Sequence, residues 1–230
     1  MSTHGINDEM LARYKQAAEV LAERAEGLAS SDAGVVEETR VWIEGQDEKL
    51  PWQNPQSVTA DEYFFISTLY GNMNPAGQRT MIRKYFHPLF VEQAGGDIRK
   101  FGPDTAGYDG LRSPWMKQRL CKMGEILRFR DISMQQYVDE LRLLEEHATP
   151  ENPTPALDKI VHDHEATGEK TLGVFVRDYV PGNSFPIDLR VERQLIKFDL
   201  PINEKKLVRM CLTLGRNPRQ DARNFYEARP

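Results

Sequence analysis

Apolar residues recur at helical spacing through most of this chain, and no segment of any length alternates apolar and polar residues as a half-buried strand does. In residues 7–28, for example, Met10, Tyr14 and Leu21 fall on one side of a helix that is expected to end near Gly27. Helices can bury such stripes only against other elements of the fold. The sequence therefore predicts an all-α fold with roughly nine to eleven helices and no internal repeat.

Polar residues that favour helix N-caps separate these helical segments. A Ser, Thr or Asn side chain at this position accepts a hydrogen bond from a backbone N–H group of the first turn. Glu62 follows one of these caps by three residues and completes the pattern of a capping box. The predicted caps are Thr59, Ser113, Ser133, Thr154 and Asn217.

Length and composition limit the class of protein. With 230 residues, of which 40% are hydrophobic, the chain can form one domain or two small lobes around a core. No run of about 18 apolar residues could span a membrane, and MSTHGINDEM lacks the apolar centre of a signal peptide. Cys121 and Cys211 form no C-x-x-C and cannot hold an iron–sulfur cluster by themselves. We therefore expect a cytoplasmic protein with no membrane partner.

The net charge of −5 argues against indiscriminate binding to nucleic acid, but the charge is unevenly distributed. Residues 1–62 contain 5 Lys and Arg against 13 Asp and Glu. Residues 112–130 contain 6 basic residues and 1 acidic residue, and residues 203–230 contain 7 and 3. A protein with an acidic back and a basic face can still bind phosphates, because counterions are released only where the surfaces meet. Solvated helix faces explain either basic segment alone equally well.

One segment, residues 169–191, combines two groups that can do chemistry. Lys170 begins an apolar helical run, and Asp188 comes just before the next run, after a connection rich in Pro and Gly. A lysine that loses its proton is an amine nucleophile, whereas an aspartate at a helix start is held by backbone donors. Each residue alone has a structural explanation, as a solvated first-turn lysine and as an N-cap. Their combination predicts a site.

The residues around this pair resemble the helix-hairpin-helix (HhH-GPD) DNA glycosylases, the endonuclease III superfamily. In that family a lysine followed by Thr and an apolar helix precedes, by 18 positions, an aspartate in a phrase such as V-D-x-x-V-x-R. The usual hairpin L-P-G-x-G-x-K is replaced here by HEATGEK in residues 164–170, so its Pro and first Gly are missing. Archaeal 8-oxoguanine glycosylases also have an atypical hairpin. The matching residues are Gly168, Lys170, Thr171, Phe185, Pro186, Ile187, Asp188, Val191 and Arg193.

The resemblance implies two helical lobes with a helix-hairpin-helix at the cleft between them. Residues 57–180 would form the central lobe, and residues 1–56 together with 181–230 would form the second lobe. The four-cysteine motif that holds an iron–sulfur cluster in endonuclease III is absent from this chain, so no cofactor is expected. We expect a monomer that binds double-stranded DNA and is associated with the nucleoid or, in a eukaryote, located in the nucleus.

The activity that the resemblance implies is base-excision repair. The enzyme would flip a damaged base out of the duplex and cleave its N-glycosidic bond. Asp188 would stabilise the positive charge that grows on the sugar and accept a proton from the nucleophile. Lys170 would attack the sugar C1′ and form a Schiff base, which makes the enzyme an AP lyase as well. Because the family's monofunctional members lack this lysine, an oxidised base, either 8-oxoguanine or an oxidised pyrimidine, is the expected substrate.

Contacts to the DNA backbone are assigned to the hairpin and to a basic helix. The resemblance assigns Gly168 and Thr171 of the hairpin to DNA binding. The basic helix in residues 112–130 contributes Arg119 and Lys122 as further DNA-binding candidates.

The flipped base and the gap that it leaves in the duplex have candidates of their own. In the resembled family, the loop after the helix that corresponds to residues 60–71 fills this gap, which would assign Asn72 or Met73 to it. A plain helix–helix turn is an equally good explanation of that loop. Trp115 and Phe225 could stack on the extruded base, although core packing is the usual role of such aromatic residues.

Two other functions fit the same residues. One is thymine hypermodification in phage-type DNA, by a transferase or pyrophosphorylase built on the glycosylase fold, which would suit the altered hairpin. The other is a non-catalytic DNA-binding module, whose binding would not depend on Lys170 or Asp188. No metal site is expected, because His162 and His164 are two positions apart on a helix and face away from each other.

Overall fold

The computed structural model describes residues 5–31, 58–69, 80–82, 84–111, 113–165 and 168–228. No strand occurs among these residues, so the all-α prediction is confirmed for this part of the chain. None of the helices described is long and apolar enough to cross a bilayer. The α-helices are α1 (Asp8–Ser31), α2 (Ala60–Leu69), α3 (Pro114–Arg130), α4 (Met134–Glu145), α5 (Pro155–Asp163), α6 (Glu169–Asp178), α7 (Leu189–Lys197), α8 (Glu204–Thr213) and α9 (Pro218–Glu227).

The connection between α2 and α3 contains shorter helical turns. A π-helical turn over Phe86–Val91 is followed by two 3₁₀ turns, Ile98–Lys100 and Tyr108–Gly110. The first 3₁₀ turn packs on α3, and its backbone is held to α2 because Asp61 accepts a hydrogen bond from the Ile98 N–H at 3.0 Å. This part of the connection therefore packs against both α2 and α3.

Local signals set the helix starts, with one exception. The confirmed caps, each of which accepts a hydrogen bond from a first-turn N–H group, are Thr59, Ser113, Ser133 and Asn217. The prediction for Thr154 is wrong, because its side chain makes no capping hydrogen bond. Thr154 is fully buried, and its hydroxyl donates to the Asp158 carboxylate one turn later, at 3.3 Å. A buried hydroxyl needs a partner, and Asp158 supplies it here.

The helices enclose two separate hydrophobic cores. The first core lies among α2, α3, α4, α5 and α6, and the second lies among α1, α7, α8 and α9. The chain leaves the first core at Val180 and enters the second at Phe185. The largest fully buried aromatic side chains of the first core are Tyr63, Phe64, Phe65, Phe90, Phe101, Tyr137 and Phe175, and those of the second are Tyr14, Phe185 and Phe225.

A buried ionic cluster ties the two cores together at the end of α6. Asp178 is 4% exposed and accepts hydrogen bonds from Arg177 at 2.7 and 2.8 Å, from Arg223 of α9 at 3.3 Å and from the Tyr63 hydroxyl at 3.3 Å. Burial opposes ionisation of this carboxyl, but Arg177 and Arg223 outweigh it and hold the pKa of Asp178 below its usual range. The cluster fixes α9 against α6, the helix that carries Lys170.

His164, at the end of α5, is part of the first core. Its side chain is 1% exposed, its ring centroid lies 6.0 Å from that of Phe64, and Nδ1 lies 2.9 Å from the Ile160 carbonyl oxygen. Burial lowers the pKa of His164 to about 4, so the imidazole is neutral at pH 7. His162, in contrast, is exposed.

The buried His164 predicts a pH-dependent stability. An unfolded histidine titrates near pH 6.5, so between pH 6.5 and 4 the unfolded chain binds more protons than the folded one, and stability falls as pH falls. A pKa shift of this size lowers the free energy of unfolding by about 3 kcal/mol between pH 7 and pH 4. We expect the free energy of unfolding of the wild type, measured in urea relative to that of His164→Gln, to decrease by this amount from pH 7 to pH 4. Parallel pH profiles for the two proteins would contradict the prediction.

Candidate active site

The turn between α5 and α6 contains a backbone conformation that favours glycine. Gly168 has φ 77° and ψ 29°, in the left-handed region, and its carbonyl oxygen accepts hydrogen bonds from the N–H groups of Thr171 and Leu172 at 2.9 and 3.0 Å. Gly168 stands at the N-cap position and has no side chain to cap the helix. Within the described residues, the positive end of α6 therefore has no side-chain cap at position 168, although the acidic Glu169 lies in its first turn.

Arg119, on α3, lies directly against this turn. A Cβ atom on Gly168 would come within 2.6 Å of Arg119 Cδ and 2.9 Å of its Nη1 atom. Arg119 is 8% exposed, and among the described residues its Nε atom has no hydrogen-bond partner. Burial lowers the pKa of Arg119, and no carboxylate of the described residues offsets this effect. A buried arginine without an acidic partner is costly, and an anion bound beside it would lower this cost.

Lys122 lies one turn further along α3 and reaches the same connection. Its ammonium group forms an ion pair with the carboxylate of Glu165, which has a positive φ of 54°. This contact raises the pKa of Lys122 and lowers that of Glu165. The structure thus brings the two predicted DNA-binding residues of the basic helix to the predicted hairpin.

Lys170 occupies the second position of α6 and is exposed, whereas Thr171 beside it is partly buried. The apolar residues that follow, Leu172, Phe175 and Val176, face the first core. The apolar surroundings of this helix therefore lie behind Lys170 and do not enclose its amine. Lys170 thus lies in the first turn of α6, where the backbone N–H groups have no partner within the helix.

The chain between α6 and α7, residues 181–188, has no regular secondary structure and packs closely on α6. The contact is made at Gly173, one turn after Lys170. A Cβ atom at this position would lie 2.8 Å from Ser184 Oγ and 3.4 Å from Pro186 Cγ. Positions 170 and 173 share a face of the helix. The connecting segment that ends in Asp188 therefore lies on the face of α6 that carries Lys170.

Asp188 is the N-cap of α7, as the sequence predicts. Its Oδ1 atom accepts hydrogen bonds from the N–H groups of Arg190 and Val191, both at 2.9 Å. Both capping bonds use the same oxygen, and the side chain is partly exposed. The cap thus orients the carboxylate, and within the part of the chain that the structure describes Oδ2 accepts no hydrogen bond.

Two partly buried carboxylates that the sequence did not indicate hold the connecting segment. Glu145 of α4 accepts a hydrogen bond from the Asn183 N–H at 2.8 Å. Glu204 of α8 accepts hydrogen bonds from the Ser184 hydroxyl and the Phe185 N–H, both at 2.6 Å. Burial raises the pKa of both carboxyls, and these hydrogen bonds oppose the increase.

The remaining predicted site residues either lie in different environments or fall outside the described residues. Trp115 is 64% exposed on α3, which leaves its ring open to a ligand. Phe225 is fully buried in the second core, where it stacks on Tyr14 at 5.9 Å and meets Phe185 edge-on at 5.2 Å. Its ring is therefore occupied by core packing and is not accessible to a flipped base. Asn72 and Met73 lie outside the described residues.

Within the described residues, no group of three or more His, Cys, Asp or Glu side chains is arranged to hold a metal ion. The chain matches no protein-family model, no curated protein and no solved structure. Its function therefore has to be inferred from its own residues and their contacts.

Proposed function

We propose that this chain is a helix-hairpin-helix DNA glycosylase with AP lyase activity, which removes an oxidised base from duplex DNA. The observation that carries the proposal is the close packing of Ser184 and Pro186 on α6 at Gly173. It keeps the segment that ends in Asp188 on the same face as Lys170. A deoxyribose bound over this face would meet a carboxylate and a primary amine.

The chemistry follows from these two groups. The base must first leave the stack, because the glycosidic bond is inaccessible inside a duplex. As the bond to the base breaks, the base leaves with the electron pair and takes a proton from solvent, and the Asp188 carboxylate stabilises the positive charge on the sugar. Asp188 then accepts a proton from the Lys170 ammonium group. The neutral Nζ atom then forms a bond to C1′, and opening of the sugar gives a Schiff base. Loss of a proton from C2′ expels the 3′ phosphate and cuts the strand.

The turn at Gly168 supports DNA binding by supplying a phosphate site. Arg119 brings a buried positive charge to the N-terminus of α6, and both features favour an anion. A backbone phosphate at this turn would give Arg119 the negative partner that it lacks among the described residues. Lys122, partly neutralised by Glu165, lies at the edge of the same site.

Arg119→Met tests this phosphate site, because it removes the charge and keeps an apolar side chain in the buried space. Loss of one phosphate contact should lower the salt slope of DNA binding by about 1 and weaken binding roughly tenfold at 0.1 M salt. The effect should be equal on undamaged and lesion-containing duplexes, since phosphates carry no sequence information. The protein should be as stable as the wild type or more so, because an unpaired buried charge is gone.

Arg130→Met is the matched control for this experiment. Arg130 lies on the same helix, but Glu140 accepts hydrogen bonds from it at 2.6 and 2.7 Å. This variant should leave the salt slope unchanged. An unaltered slope for Arg119→Met as well would mean that Arg119 contacts no phosphate.

Borohydride trapping tests the proposed activity directly. The purified protein is incubated with duplexes that each carry 8-oxoguanine, an oxidised pyrimidine or an abasic site, in the presence of borohydride. Reduction of a Schiff base gives a covalent adduct, and we expect the strongest adduct on the abasic duplex and on the duplex with the true lesion. If no duplex is trapped and no base is released, the proposed activity is wrong, and hypermodification or DNA binding alone becomes the better explanation.

A further inference from the structure

The connecting segment has backbone donors that no helix or sheet satisfies. Residues 181–188 contain no regular secondary structure, yet Ser184 and Phe185 are fully buried. Buried N–H groups need acceptors, and in a segment of this kind the acceptors must come from side chains or water. The acceptor for the Phe185 N–H is the carboxylate of Glu204. The first role of Glu204 is therefore to satisfy this buried donor.

Glu204 holds the connecting segment through hydrogen bonds to a single carboxylate oxygen. Its Oε1 accepts hydrogen bonds from the Ser184 hydroxyl and the Phe185 N–H, and both distances are 2.6 Å. Bonds to a carboxylate are roughly twice as strong as bonds between neutral groups. Glu204 is the first residue of α8, which belongs to the second core, whereas Gly173, which also lies next to Ser184, belongs to α6.

Ser184 is thus enclosed between two helices. A Cβ atom on Gly173 would lie 2.8 Å from Ser184 Oγ and 3.7 Å from Glu204 Oε1, so there is no space for the serine to move toward α6. Phe185 is anchored next to it by its contact with Phe225. Three residues further along, the segment ends at Asp188.

We propose that Glu204 is a positioning residue for Asp188: its hydrogen bonds to Ser184 and Phe185 fix the segment that holds the Asp188 carboxylate against the face of α6. This inference rests on the proposed function, in which Asp188 acts on the sugar. Glu204 itself touches no reacting atom. Loss of its bonds displaces the carboxylate, and displacements of about 1 Å can cost roughly 10²-fold in rate.

A double-mutant cycle with Glu204→Ala and Asp188→Asn tests the proposal. Base release is measured in single turnover at saturating protein, on the lesion that wild type processes best. Glu204→Ala should slow release roughly 10²-fold in the wild-type background and less than about twofold in the Asp188→Asn background, because the two residues act as a unit. Affinity for the duplex should stay unchanged in both backgrounds. Equal rate losses in the two backgrounds would overturn the proposal.

Glu204→Gln provides a second variant that conserves the fold. Its amide oxygen can accept both hydrogen bonds, so it should restore most of the rate that Glu204→Ala loses. A rate as low as that of Glu204→Ala would mean that the negative charge, and not the positioning, is required, and would overturn the inference. Hydrogen exchange gives a readout without activity, since the Phe185 amide should exchange faster in Glu204→Ala than in Glu204→Gln.

These measurements distinguish a failure of the proposed function from a failure of the role proposed for Glu204. If the wild type releases no base from any duplex, the proposed function fails, and this inference fails with it. If the wild type and Glu204→Ala release the base at the same rate, only the role of Glu204 fails.

Discussion

Lys170→Gln is expected to reduce borohydride trapping to the level seen without protein, on every duplex that the wild type traps. The glutamine side chain keeps most of the length of the lysine side chain, but its amide nitrogen cannot form a Schiff base with C1′. Lys170 is exposed at the start of α6, so the substitution removes little buried surface and should leave the fold intact. The measurement is the fraction of duplex that becomes covalently attached in the presence of borohydride.

Binding and a second lysine provide the controls for this result. Removal of one positive charge changes the salt slope by at most about 0.9, so Lys170→Gln should still bind an abasic duplex within roughly tenfold of the wild type. Lys205→Gln is the matched variant, because Lys205 is also exposed on the first turn of a helix and pairs with Asp158 at 2.8 Å. It should be trapped as efficiently as the wild type. An adduct that persists in Lys170→Gln would move the nucleophile to another residue.

Features that depend on close neighbours in sequence could be predicted. The all-α class follows from apolar spacing within single helices, and the predicted capping box of Thr59 and Glu62, which the structure confirms, needs only residues three positions apart. The cap at Asp188 is local in the same way. Thr154 shows the limit of this approach, because its burial depends on the packing of the whole first core and reverses the role of its hydroxyl.

The contacts that build the candidate site join residues far apart in the chain, and no local pattern indicates them. Arg119 belongs to a basic helix, which is equally typical of a solvated surface, and its burial against Gly168 comes from the packing of α3 on the turn. Glu204 follows the cap Asn203, where acids are common because of the helix dipole. Its role on the connecting segment depends on its hydrogen bonds with Ser184 and Phe185, which the sequence does not indicate. The same is true of Phe225, whose neighbours decide between core and ligand contact.

Asp188 has two roles in this proposal, and substitutions can separate them. As an N-cap it accepts two backbone hydrogen bonds through Oδ1, a task that asparagine performs about as well. As an electrostatic group it supplies a negative charge next to the sugar, which asparagine does not have. Asp188→Asn therefore removes the charge and keeps the cap, whereas Asp188→Ala removes both.

Asp188→Asn is accordingly expected to slow base release roughly 10²- to 10³-fold while it changes the free energy of unfolding by less than about 1 kcal/mol. Asp188→Ala should show the same loss of rate and an additional loss of about 1 kcal/mol in stability. Single-turnover base release and urea unfolding measure the two effects independently. Ser133→Ala is the control, since it removes a cap from α4 with a similar loss of stability and should leave base release unchanged. If Asp188→Asn releases the base at the wild-type rate, Asp188 is a helix cap alone, and the charge that stabilises the sugar must come from a different carboxylate.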